Sequence, residues 1–153
     1  MAYTTIDKPT ENFNTVLYSG NGGTQSITGV GHQPDWVWIK QRANDSYSHE
    51  LFDSVRGATK YLVSDGTAAE STSATTLTSF DSDGFSLGSD TIVNKSGRTL
   101  VAWNWKAGTA FSNDASATGV GSIDSAGSIN TTAGFSIIGW TGTNANGTIA
   151  HGL

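Results

Sequence analysis

RTLVAWNWKAG, residues 98–108, is the stretch that decides the fold. In an extended chain successive side chains point to opposite faces. Thr99, Val101, Trp103 and Trp105 therefore share one face, and Leu100, Ala102, Asn104 and Lys106 share the other. Apolar residues on both faces near its start mark a central strand covered on two sides. Helical periodicity is nearly absent from the chain; TAAESTSATTL, residues 67–77, is its best example and a poor one.

Strand signals recur on the N-terminal side of this stretch. DWVWIKQ, residues 35–41, sets Trp36, Trp38 and Lys40 against Val37, Ile39 and Gln41. TVLYS and TQSIT flank the glycine-rich GNGG, residues 20–23, and read as a hairpin. ELFDSV and KYLVS flank the turn RGAT. TTLTSF and FSLGS flank DSDG, whose Asp83-Gly84 suits a tight turn with positive φ. Pro9 and Pro34 both fall between elements. The result is seven or so short strands beginning near Tyr3 and ending at Lys106, the spacing of an all-β, antiparallel sandwich. About 100 residues suffice to close such a core.

After Gly108 the character changes. Residues 109–130, TAFSNDASATGVGSIDSAGSIN, are small and polar, and the run SIDSAGSI has Ile123 and Ile129 as its sizeable side chains. Residues 134–153 then echo residues 12–31: Phe135 follows Phe13, Ile138 follows Val16, Trp140 follows Tyr18 and Ile149 follows Ile27, at a constant offset of 122. The expected organisation is a β-sandwich module over 1–107, a Gly/Ser/Ala-rich linker or small hairpin over 108–131, and the opening strands of a second similar module over 132–153. That second module is expected to continue in a longer polypeptide, because repeat units need their neighbours to bury their faces.

The formal net charge of -5 argues against nucleic acid or an anionic membrane as the main partner, since both call for a basic footprint. There is no cysteine for disulfide or thiolate chemistry, and no apolar run of membrane-spanning length. MAYTTIDKPTEN lacks the basic-then-apolar pattern of a signal peptide. A Gly/Ser/Thr-rich, tryptophan-rich chain of this kind is an odd cytosolic enzyme and an ordinary virion or appendage protein. The expected location is the virion, at the tail or capsid surface, after synthesis in the host cytoplasm.

The series FNTVLYSGNGGTQSITGVGHQPDWVWIKQR, ELFDSVRGATKYLVSDGTAAE, LTSFDSDGFSLGSD, TLVAWNWKAG and INTTAGFSIIGWTGT, ending in HGL, resembles a module that recurs in marine bacteriophage structural proteins. The resemblance covers nearly the whole chain. It implies a jelly-roll sandwich of the concanavalin type and a virion protein, foremost the N-terminal part of a tail fibre or appendage used in host attachment. A capsid decoration protein is the alternative, and a glycan-binding, lectin-like module a further one. Expected partners are other virion proteins, a tail adaptor or nozzle or the capsid, together with copies of the chain itself. A trimer is common for fibres, and a host surface glycan is the alternative ligand.

Trp36, Trp38, Trp103, Trp105 and Trp140 are the foremost candidate contact residues. Tryptophans two apart on a strand share a face, which either stacks on sugars or a partner subunit or fills one side of the core. Asp81, Asp83 and Asp90 offer carboxylates beside glycine, as calcium loops do, but the further acidic ligands and the bidentate Glu of an EF-hand are missing. A turn in which Asp bonds its own backbone is the competing reading. His32, His49 and His151 are far apart, although His49 could form a dyad with Glu50 or Asp53. There is neither G-x-S-x-G nor H-E-x-x-H, and Glu11, Glu50 and Glu70 mark no pair facing across a groove. No enzyme activity, cofactor or resident metal is expected. Arg56 is expected to pair with Asp53 or solvent, and the sequons at Asn94 and Asn130 carry no role without a secretory route.

Overall fold

RTLVAWNWKAG forms β9 (Thr99–Trp105), paired along one side with β1 (Phe13–Ser19) and along the other with β3 (Trp36–Gln41). The computed structural model describes residues 6–42 and 46–153; the expected start at Tyr3 lies outside them. The chain divides into two units, Lys8–Lys106 and a second built on Ala107–Leu153. Both are mostly β, with antiparallel sheets.

In the first unit the sheet around β9 continues through β4 (Glu50–Asp53), β5 (Lys60–Val63) and β6 (Ser71–Thr72), in the order β1-β9-β3-β4-β5-β6. A second sheet holds β2 (Gln25–Thr28), β7 (Leu77–Asp81) and β8 (Gly84–Leu87), in the order β2-β8-β7. A one-turn helix, α1 (Thr91–Asn94), leads from β8 to β9. One apolar core draws on both sheets. Leu100, Ala102, Val37, Ile39 and Phe52 come from the first, Ile27, Leu77, Phe85 and Leu87 from the second, and Val93 from α1. Each large side chain buried there contributes about 1.5–3 kcal/mol.

The DSDG turn joins β7 to β8 as an antiparallel hairpin. Gly84 sits at φ 137, and a Cβ there would lie 1.9 Å from the Ile27 carbonyl oxygen, so the approach of β2 to β8 requires glycine. The expected hairpin of TVLYS and TQSIT does not form. β1 pairs with β9 and β2 pairs with β8, so GNGG carries the chain from one sheet to the other. Burial explains the crossing. Val16 and Tyr18 pack on the core from the first sheet, and Ile27 reaches the same core from the second.

In the second unit β10 (Thr109–Asn113), β11 (Ser125–Asn130) and β12 (Phe135–Trp140) form a three-stranded sheet in that order, with α2 (Ala115–Thr118) between the first two. The Asp114 carboxylate caps α2 by accepting from the Ser116 and Ala117 amides. Residues 108–131, read from composition as linker or small hairpin, thus carry β10, α2 and β11. Main-chain ladders and small polar side chains hold them. Ser125 Oγ donates to the Ala150 carbonyl at 2.9 Å, and Ser128 Oγ accepts from the Gly108 amide at 2.8 Å. A Cβ on Gly127 would lie 1.9 Å from the Ile137 carbonyl oxygen, so what looks like linker glycine is a close strand contact.

β12 shares sequence with β1 but not its inward phase. Ile138 and Trp140 stand where β1 has Val16 and Tyr18, yet Ile137 is the buried residue and Trp140 is 57% exposed. Pairing sets the phase, since Ile137 lies opposite Ser128, which is also buried.

Candidate functional site

The core occupies one face of the six-stranded sheet, and the tryptophans lie on the other. Because Leu100 and Ala102 point inward, Val101, Trp103 and Trp105 point outward. The register then sets Trp36 opposite Trp105 and Trp38 opposite Trp103 from β3, and Phe13 and Thr15 opposite the same two residues from β1. Phe13 and Trp105 are tilted at a centroid distance of 4.8 Å, and Trp38 and Trp103 meet edge to face at 5.5 Å. Pairs of this kind add about 0.5–1.5 kcal/mol beyond area burial.

Trp38 also meets the His49 ring at 5.5 Å and donates its indole N–H to His49 Nδ1 at 2.9 Å. That nitrogen is therefore the acceptor of the pair. The four tryptophans of this face are half-buried, whereas Phe13 is 36% and Leu17 63% exposed. The reading in which they fill one side of the core fails, because the alternation places them on the opposite face. Trp140 stands at the end of β12, in the second unit.

The three aspartates do not converge. Asp81 accepts from Ser79 Oγ and Ser86 Oγ, both at 2.7 Å. Asp83 accepts from the Gly29 and Gly31 amides at 3.1 and 2.6 Å, which holds its carboxyl below the usual carboxylate range. Asp90 caps α1 through the Ile92 amide and accepts from Ser73 Oγ. Asp83 and Asp90 hold main-chain amides, Asp81 holds two serine hydroxyls of its hairpin, and no group of three metal-ligating side chains assembles among the described residues.

The histidines are likewise dispersed. His32 Nδ1 lies 2.9 Å from the Thr10 carbonyl oxygen, and His151 Nδ1 accepts from the Leu153 amide. Of the two expected partners of His49, Glu50 and Asp53, Asp53 is engaged by the Arg56 amide and guanidinium instead. Arg56 also faces Glu70 at 3.6 Å, as does Lys60.

Two further polar residues of the first unit, Asn94 and Glu50, are buried. Asn94, noted only as a sequon, is fully buried. Its Nδ2 shares two hydrogens among Asn21 Oδ1, the Gly23 carbonyl and the Gly88 carbonyl, at 3.0, 2.6 and 2.8 Å. Its Oδ1 accepts from the Asn21 amide and Gln25 Nε2, both at 2.9 Å. This one side chain clasps the GNGG crossing to the segment between β8 and α1.

Glu50 pairs with Ile39 in register and so points to the core side, where it is buried. Its Oε2 has no hydrogen-bond partner among the described residues, nor has Oε1 of the buried Gln41, which lies diagonally across on the same face. Burial, and then the negative charges of Asp65 and Asp90, push the Glu50 carboxyl up to about 7 against the opposing effect of Lys40.

No curated protein and no solved structure matches this chain. A protein family described as a domain of unknown function does match it, over residues 8–153 and so across both units. The chain therefore belongs to the DUF7483 family.

Proposed function

We propose that this chain is a structural protein of a bacteriophage virion, the N-terminal part of a tail fibre or appendage, and that its work is attachment rather than catalysis. In this reading the two sheets of the first unit are a jelly-roll sandwich of the concanavalin type, and residues 132–153 are the opening strands of a sibling module. The observation that carries it is the row of Phe13, Trp105, Trp36, Trp103 and Trp38 across β1, β9 and β3, on the face turned away from the core. Aromatic residues are the commonest anchors of protein interfaces. The acidic balance and the resemblance in sequence point the same way.

A protein partner fits this face better than a glycan. A sugar stacks on a flat, open ring, whereas here the rings lean on one another and the Trp38 N–H is already engaged by His49. Replacing Trp36 and Trp103 together by Ala is expected to leave cooperative unfolding in place, because the core lies on the other face. Incorporation of the protein into particles is expected to fall roughly tenfold or more, as loss of a central aromatic anchor does. Quantifying the protein in purified particles checks this, and unchanged incorporation would remove the face from the interface. The same particles separate fibre from capsid decoration, by a few copies around the tail or hundreds on the capsid. Glycan-array binding that these variants abolish would favour the lectin reading instead.

A further inference from the structure

We propose that β1 is the pairing edge of a two-fold dimer, in which β1 of one copy lies antiparallel to β1 of a second and joins their six-stranded sheets. The proposal stands apart from the virion reading. Among the described residues, β1 closes one end of its sheet and pairs with β9 alone. The Lys106 amide bonds the Asn12 carbonyl and the Gly20 amide bonds the Arg98 carbonyl, so even-numbered residues of this stretch face β9. The amides and carbonyls of Phe13, Thr15, Leu17 and Ser19 consequently point off the sheet.

Exposed edges are normally shortened, bulged or charged. The other edges of this unit follow that rule: β6 has two residues, β2 has four, and β7 carries a register shift between Leu77 and Ser79. β1 has seven residues, FNTVLYS, with no charge, no proline and no register shift. Among the described residues, Asn14 Oδ1 accepts from the Thr15 amide on this edge and Gln25 Nε2 donates to the Ser19 carbonyl.

The strand is complementary to itself. Phe13 and Leu17, its two exposed large apolar residues, stand symmetrically about Thr15 and belong to the edge-facing set. A two-fold axis through Thr15 therefore sets each Phe13 opposite the second copy's Leu17, and Thr15 opposite Thr15. Asn14 Oδ1 releases the Thr15 amide to its new partner, and no like charges meet. This match favours a second copy over a foreign strand, and it makes the two aromatic faces continuous.

The test uses the full chain. Sedimentation velocity over a wide concentration range is expected to show a reversible dimer, weakened roughly hundredfold by Leu17→Lys, which places a charge on the new ladder. The chain has no cysteine, so single-cysteine variants report one contact each. Thr15→Cys is expected to cross-link under mild oxidation, because facing residues of a hydrogen-bonded pair lie about 5.5 Å apart at Cα, within disulfide reach. Phe13→Cys, which faces Leu17, is expected not to cross-link. A chain that stays monomeric would overturn the proposal. So would a dimer indifferent to Leu17→Lys, or one cross-linked by Phe13→Cys and not by Thr15→Cys.

Discussion

Asn94→Ala lowers the stability of the first unit by roughly 4 kcal/mol, the largest loss expected from any single polar substitution in it. The wild-type side chain is fully buried and makes five hydrogen bonds, to Asn21 twice and to Gly23, Gly88 and Gln25. Truncation leaves the Gly23 and Gly88 carbonyls and the Asn21 amide short of a partner. Each stranded group costs about 1–3 kcal/mol where water cannot replace the bond. Asn94→Asp is expected to do no better, because it keeps the acceptor, loses both N–H donors and buries a charge beside two carbonyls. Denaturant unfolding checks both: the midpoint should fall while the slope holds. A loss below about 1 kcal/mol would mean that the crossing is held by other contacts.

Glu50→Gln is expected to make stability insensitive to pH where the wild type is sensitive. The folded carboxyl titrates at about 7, above its ordinary value of 4.5, so between these values the folded state holds a proton that the unfolded chain releases. This contribution is complete below about pH 4.5 and is lost as pH rises through about 7. At alkaline pH the wild type carries a buried charge near Asp65 and Asp90, only partly offset by Lys40, at a cost of about 3 kcal/mol. Glutamine keeps the shape without the charge. The variant should match the wild type near about pH 5 and exceed it near about pH 8. Parallel curves for the two proteins over that range would refute the assignment.

Alternation made the first unit's strands readable, because a period of two survives in sequence wherever one face of a strand is buried. It separated Trp103 and Trp105 from Leu100 and Ala102 correctly. It was silent on which face met the core, since indoles suit a core and an interface equally. The β1–β2 connection misled because GNGG has hairpin chemistry, whereas the choice of partner lies with Ile27, whose place in the core is a tertiary fact. β10 and β11 were hidden because backbone pairing leaves no trace in composition when side chains are small. Asn94 was legible only as a sequon and Glu50 only as a neighbour of His49: the places they take rest on partners brought from Asn21 to Asp90, and no local pattern encodes them.

The pairing of β1 with β9 also shapes how the chain reaches this state. Phe13 must find Trp105 across almost the whole unit, so the sheet closes only after its last strand has been synthesised. The tight β7–β8 turn forms early at little entropic expense, while the terminal strand waits, and folding on a timescale of roughly milliseconds to seconds follows from contacts so remote in sequence. Until that closure, an uncharged and sticky ribbon, FNTVLYS, is left bare on the nascent chain.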